Sequence, residues 1–237
     1  MECVNVHLYP LFLTPYSLLP LFMYESREHL QTLTEIRGLM ERSSKFLSLS
    51  GLSGVSAGLI ALAGAAVVYG RLRTDWFTAL SYNRLELYDS AAHADIRTFL
   101  VTVAVVVLMS ALLTGTYFTV RKARRQGLSV WNAQSQRLLW ALAVPLTTGG
   151  VFCLALLHYN LLWLAFPATL IFYGLALING SKYTLRDVES LGYCEIALGL
   201  VSLFGPGYNL LTWALGFGVL HIAYGLTMYL KYERSPA

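Results

Sequence analysis

The sequence predicts an all-α protein, a polytopic bundle of six transmembrane helices. Three observations predict it. Hydrophobic residues fill 56% of the 237 positions and charged residues only 13%, half the roughly 25% of a soluble domain. Mean hydropathy is +0.56. Six apolar runs approach the roughly 20 residues that a helix needs to cross a bilayer. The runs are continuous rather than alternating, which favours helices over a membrane barrel. The composition excludes an ordinary soluble domain and a disordered chain, and three cysteines exclude a disulfide scaffold.

Residues 1–22 come before any regular pattern. Pro10, Pro15 and Pro20 interrupt an apolar stretch that also holds Cys3 and His7. Three prolines oppose a spanning helix, and the basic start of a secretory signal is missing. The segment reads as a non-native or disordered upstream extension, with Met23 as the natural start. Residues 23–45 read as a cytoplasmic amphipathic helix. Leu30, Leu33, Ile36 and Met40 recur at helical spacing, and Glu28, Glu35, Arg37, Glu41 and Arg42 cover the other face. Such a helix lies at the membrane interface, or docks a second copy or a partner subunit.

Residues 46–237 hold the six spans. They run from about Phe46 to Tyr69, Thr98 to Val120, Leu138 to Leu157, Leu161 to Ile178, Leu191 to Phe204 and Leu210 to Leu230. Thirteen of the 17 Lys and Arg residues fall on one side of this arrangement, and Arg71, Arg73, Arg84 and Arg97 on the other. The positive-inside rule then puts both termini in the cytoplasm. The net charge of +4 reads as topology and attraction to membrane lipid, not nucleic-acid binding.

The second half repeats itself. Tyr159-Asn160-Leu161-Leu162-Trp163 returns as Tyr208-Asn209-Leu210-Leu211-Thr212-Trp213, Tyr173-Gly174-Leu175 as Tyr224-Gly225-Leu226, and Lys182-Tyr183 as Lys231-Tyr232. Spans three–four and five–six then form a parallel repeat of one hairpin, each closed by a short outer turn.

A few polar and small residues stand out. Helix one carries a GxxxG step at Gly54 and Gly58, which lets a neighbouring backbone come close. Glu195 is the one acid within the expected spans, about a turn into the fifth. It is a functional candidate by default. With His221 and Ser53, at broadly similar depth, it makes a candidate ligand site or proton relay. The plainer reading has Glu195 reaching the interface or bonding helices together. Gly51-Leu52-Ser53-Gly54 also matches the GxSG of rhomboid proteases, with His221 as the base of a Ser–His pair, though Ser53 lies in a different helix and no companion motif appears. Asp89, His93 and Asp95 share an outer loop whose spacing suits a solvated surface better than a metal. Cys153 and Cys194 read as packing residues. Pro145, Pro167, Gly149 and Gly150 lie inside spans, where they kink helices or are absorbed by neighbours. No P-loop, GxGxxG, CxxC or His-box appears, so no cofactor is expected.

The runs Glu41-Arg42-Ser43-Ser44-Lys45-Phe46-Leu47-Ser48-Leu49-Ser50-Gly51-Leu52-Ser53-Gly54, Pro145-Leu146-Thr147-Thr148-Gly149-Gly150 and Gly216-Phe217-Gly218-Val219-Leu220-His221 carry a family likeness. The chain resembles, over about residues 23–235, an uncharacterised multi-spanning family of Bacteroidetes-type bacteria. The resemblance implies a bacterial inner membrane and no particular chemistry. The expected function is that of a non-enzymatic membrane protein that binds a lipid or ligand, or scaffolds a partner. The alternative is a small transporter or proton-linked channel using Glu195 and His221.

Overall fold

The protein's structure is a computed structural model that describes residues 50–72, 90–127, 129–159, 161–205 and 208–234. The expectations for residues 1–22 and 23–45, and for Asp89 and the His93 side chain, lie outside the described residues. The described chain is helical, without a strand. Its elements are α1 (Gly51–Leu72), α2 (Ser90–Arg125), α3 (Ala133–His158), α4 (Leu162–Ser181), α5 (Asp187–Phe204) and α6 (Asn209–Tyr232). By length and composition, α1, α2, α3, α4 and α6 can each cross a membrane. The fifth expected span is different. α5 has 18 residues and carries Asp187, Glu189 and Glu195, so it does not meet that measure alone.

Several helices outrun their apolar runs. α2 has 36 residues, about 54 Å at 1.5 Å per residue, against a hydrocarbon core of about 30 Å. Arg121, Lys122, Arg124 and Arg125, expected in a loop, therefore form its last turns. Gly127, at φ 65°, then turns the chain. α3 starts at Ala133 rather than Leu138 because Asn132 caps it. The Ser135 amide donates to Asn132 Oδ1 at 2.8 Å, and the Asn132 amide donates to Ser135 Oγ at 3.0 Å. α6 is not a plain helix: Ala214–Leu220 form a π turn. Pro145 and Pro167 sit inside helices that continue past them.

Burial sorts the helices. Only 6% of the apolar stretch of α2 and 11% of that of α3 are buried, against 33% in α1, α4 and α6. α2 and α3 thus present apolar surface outwards, as a bundle in lipid must.

Backbone contact at glycine holds the centre together. A Cβ added to Gly54 would sit 3.0 Å from Gly225 Cα, and one on Gly58 would sit 2.6 Å from the Gly218 carbonyl oxygen. The GxxxG step therefore lies against α6. A second seam joins α4 to α5, where a Cβ on Gly174 would sit 2.6 Å from the Gly192 carbonyl and one on Gly192 2.8 Å from that of Gly174. Gly174 and Gly225 each occupy such a seam. α3 and α4 form a closely packed hairpin in which Gly149 meets the Phe172 ring and Asn179 Nδ2 donates to the Ala141 carbonyl at 2.8 Å. α5 lies along α4, and it meets α6 both through polar side chains and through an apolar cluster in which Val188 and Leu191 join Met228.

Candidate functional site

The inward stripe of α5 is Val188, Leu191, Gly192, Glu195, Gly199 and Ser202, all buried. Its spacing of three and four residues is that of one helical face. Glu195 sits mid-stripe, so burial of this face also buries a carboxyl. Anchors at both ends set the rotation of α5 against α6. At one end Asp187 Oδ2 accepts from Lys231 Nζ at 2.8 Å and from Tyr232 Oη at 2.9 Å. The hydrogen bond from the Lys231 ammonium holds the Asp187 carboxyl below its ordinary range. At the other end Ser202 Oγ donates to Asn209 Oδ1 at 2.8 Å, Thr212 Oγ1 donates to Ser202 Oγ at 2.9 Å, and Asn209 Nδ2 donates to the Trp163 carbonyl of α4 at 3.1 Å.

Between these anchors lies the candidate site. Glu195 is 0% exposed and His221 6%. Their closest atoms, Glu195 Oε1 and His221 Nδ1, are 3.3 Å apart. His221 Nδ1 is also 3.0 Å from the carbonyl oxygen of Gly216, inside the π turn. A carbonyl can only accept, so Nδ1 carries a hydrogen. In a neutral ring Nε2 is then the acceptor, and it takes a hydrogen bond from Tyr173 Oη of α4 at 2.8 Å. The imidazole is therefore satisfied by Gly216 and Tyr173 without Glu195.

Glu195 is not satisfied. Neither carboxyl oxygen has a hydrogen-bond partner, and the hydroxyl of Tyr224, also buried, has none. The short distance to His221 is an ion-pair distance without hydrogen-bond alignment, because the Nδ1 hydrogen points to Gly216.

The surroundings are tight and aromatic. A Cβ on Gly216 would sit 2.5 Å from Glu195 Oε2 and 2.6 Å from Leu170 Cδ2, so glycine makes room for the carboxyl. The Phe217 ring lies 5.1 Å from that of Trp213, 5.0 Å from that of Tyr173 and 5.8 Å from that of His221. These rings form one wall around the imidazole.

Several expectations are corrected. The Glu195 side chain does not reach out of the protein: α5 starts at Asp187, so Glu195 lies two turns into it, not one, and is wholly enclosed. Ser53 does not join the cluster. It is half-buried near the start of α1, and its Oγ donates to the Ser50 carbonyl in its own first turn. Gly54, beside it, meets Gly225, one turn along α6 from His221. The Ser53–His221 pair of the GxSG reading does not form, because both ring nitrogens of His221 face other groups. Cys194 is exposed rather than packed. Asp95 pairs with Arg71 at 3.4 Å. Among the described residues no group of three or more His, Cys, Asp or Glu is placed to hold a metal ion.

Sequence reasoning missed Tyr173, Ser202, Asn209 and Thr212 as polar contacts. Tyr173, Asn209 and Thr212 appeared only as repeat markers, and their hydrogen-bonding capacity within apolar runs was the signal that could have found them. No protein-family model, curated protein or solved structure matches the chain.

Proposed function

We propose that the chain is a non-enzymatic, multi-pass protein of a bacterial inner membrane that binds a small ligand at the Glu195–His221–Tyr173 cluster. One observation carries the reading: a fully buried carboxyl with no hydrogen bond on either oxygen. An apolar side chain of similar volume would fill this place without the desolvation penalty. What Glu195 offers instead is an acceptor that becomes satisfied when a proton, a cation or a hydrogen-bond donor arrives.

A second reading, proton-linked transport or conduction, is favoured by the 3.3 Å approach of Glu195 to His221 beside a π turn. Such turns frequently mark functional sites. A proton gained or lost here alters the charge between α5 and α6 and so biases their contact.

In this proposal both termini are cytoplasmic. The distribution of Lys and Arg supports that orientation, and α5 completes the even number of crossings. Asp187 and Glu189 lie in its first turn, where water and the helix dipole favour them, and Glu195 faces protein. The proposed partners are membrane lipid and, through residues 23–45, a second copy or a partner subunit.

The test compares wild type with Glu195→Gln, by native mass spectrometry from nanodiscs and by proton flux in liposomes. A small mass kept by wild type and lost by the variant supports ligand binding. Flux lost in the variant supports transport. Identical masses and identical flux, with equal unfolding midpoints, would refute both readings and leave Glu195 as a contact between helices.

A further inference from the structure

α2 is the least covered of the helices able to cross a membrane. Met109, Leu113 and Tyr117, spaced one turn apart, are 51%, 68% and 59% exposed. They continue, at the same spacing, into Arg121 and Arg125, with Arg124 alongside, all exposed. These six residues line an open groove of about 800 Å³. Three of them are apolar or aromatic, and three are guanidinium groups at one end.

Among the described residues the charge there is uncompensated. Lys122, between the arginines in sequence, turns away and pairs with Glu233 at 3.2 Å, with its side chain only 12% exposed. Arg121, Arg124 and Arg125 have no ion pair among the described residues. The distance along the helix from Met109 to Arg121 is about 18 Å, close to the roughly 15 Å depth of one leaflet's hydrocarbon. A trough of that length ending in cations has the shape and polarity of a phospholipid.

The geometry points to a binding site for an anionic phospholipid on α2. Arg121, Arg124 and Arg125 hold its phosphate, and Met109, Leu113 and Tyr117 line the path of an acyl chain. Guanidinium groups suit this role because their planar donors bond phosphate oxygens in pairs. Charge argues against a second copy as the occupant. Copies in one membrane share an orientation, so a two-fold contact along this face brings the two arginine clusters together. The site depends on α2 crossing the membrane and not on the Glu195 cluster.

The test uses the full chain in nanodiscs of phosphatidylcholine doped with phosphatidylglycerol, read by native mass spectrometry. Wild type is expected to retain phosphatidylglycerol in preference. One juxtamembrane arginine is worth roughly fivefold in affinity, so three together give a loss on the order of 100-fold. Arg124→Gln alone should show the single step. Arg121→Gln, Arg124→Gln and Arg125→Gln combined should abolish the preference at an unchanged unfolding midpoint. Arg137→Gln, which removes an exposed charge on α3, should retain it. Equal preference in wild type and in the single and triple variants overturns the assignment. So does displacement of the lipid by inorganic phosphate, which would show a simple anion site, or a lipid-free dimer, which would show a second copy on this face.

Discussion

Adding one methyl group at Gly225 tests the contact on which the centre of the bundle rests. In Gly225→Ala the new Cβ would lie 2.5 Å from Val55 N, 2.6 Å from Gly51 O and 2.9 Å from Gly54 C. All three are backbone atoms of α1, so no side chain can rotate out of the way. Relaxed contacts of this kind fall near 3.5–4.0 Å, so α1 and α6 must separate by roughly 1 Å. Dispersion falls steeply with such a gap, and the loss spreads to the contacts of Gly54 and Gly58 in the same seam. Overpacking of this sort costs about 1–3 kcal/mol. Better helix propensity offsets about 0.5–1 kcal/mol. Because backbone opposes backbone we place the net near the upper end, about 2 kcal/mol, or roughly 30-fold in the unfolding equilibrium. Gly150→Ala is the control, since nothing lies within 4 Å of its added Cβ. It should leave stability unchanged or raise it by about 0.5 kcal/mol. Equilibrium unfolding in mixed micelles, followed by circular dichroism, reads both. If Gly225→Ala unfolds at or above the wild-type midpoint while Gly150→Ala behaves as expected, the α1–α6 seam is wrong.

Three further outcomes follow from the same geometry. Gly216→Ala should displace the Glu195 carboxyl, because the added Cβ would meet Glu195 Oε2 at 2.5 Å. Any Glu195-dependent ligand retention or proton flux should then fall at least as far as in Glu195→Gln; an unchanged signal would show that the carboxyl lies elsewhere. Glu233→Ala removes an acceptor shared by Gly51 N–H at 2.7 Å, Ser50 Oγ at 3.2 Å and Lys122 Nζ at 3.2 Å. Hydrogen bonds to a charged group contribute about 1.5–3 kcal/mol, so Gly51 amide exchange should quicken by at least about tenfold. The pairing of Asp187 with Lys231 makes stability fall in acid. A carboxyl held below its ordinary range contributes at neutral pH, and that contribution disappears as pH drops from about 3.9 through the lowered value. The pair is exposed to solvent, so the effect is small and weakens with salt. Lys231→Met should flatten this part of the pH profile of unfolding.

The helices were legible because their signal is local. Continuous apolar runs, turn residues near Tyr159 and Tyr208, and basic clusters lie along the chain and need no partner to be read. Gly54 and Gly58 were visible as a surface that invites close approach, and Glu195 and His221 as polar groups in the wrong solvent. Helix ends were read less well. Asn132 and Ser135 cap α3 through side chains that a hydropathy reading does not weigh, and the charged end of α2 stays helical beyond its apolar run.

The sequence by itself determined that this chain is a bundle of apolar helices, and which few residues are costly within it. Tertiary structure alone decided the rest. It gave the GxxxG face to α6, turned Glu195 to His221 and Tyr173, and left Ser53 bonded to its own turn. Hydrophobicity is a property of each residue and sums along the chain. A contact between helices depends on rotation and register, which are set jointly by anchors as far apart in sequence as Asp187 with Lys231 and Trp163 with Asn209.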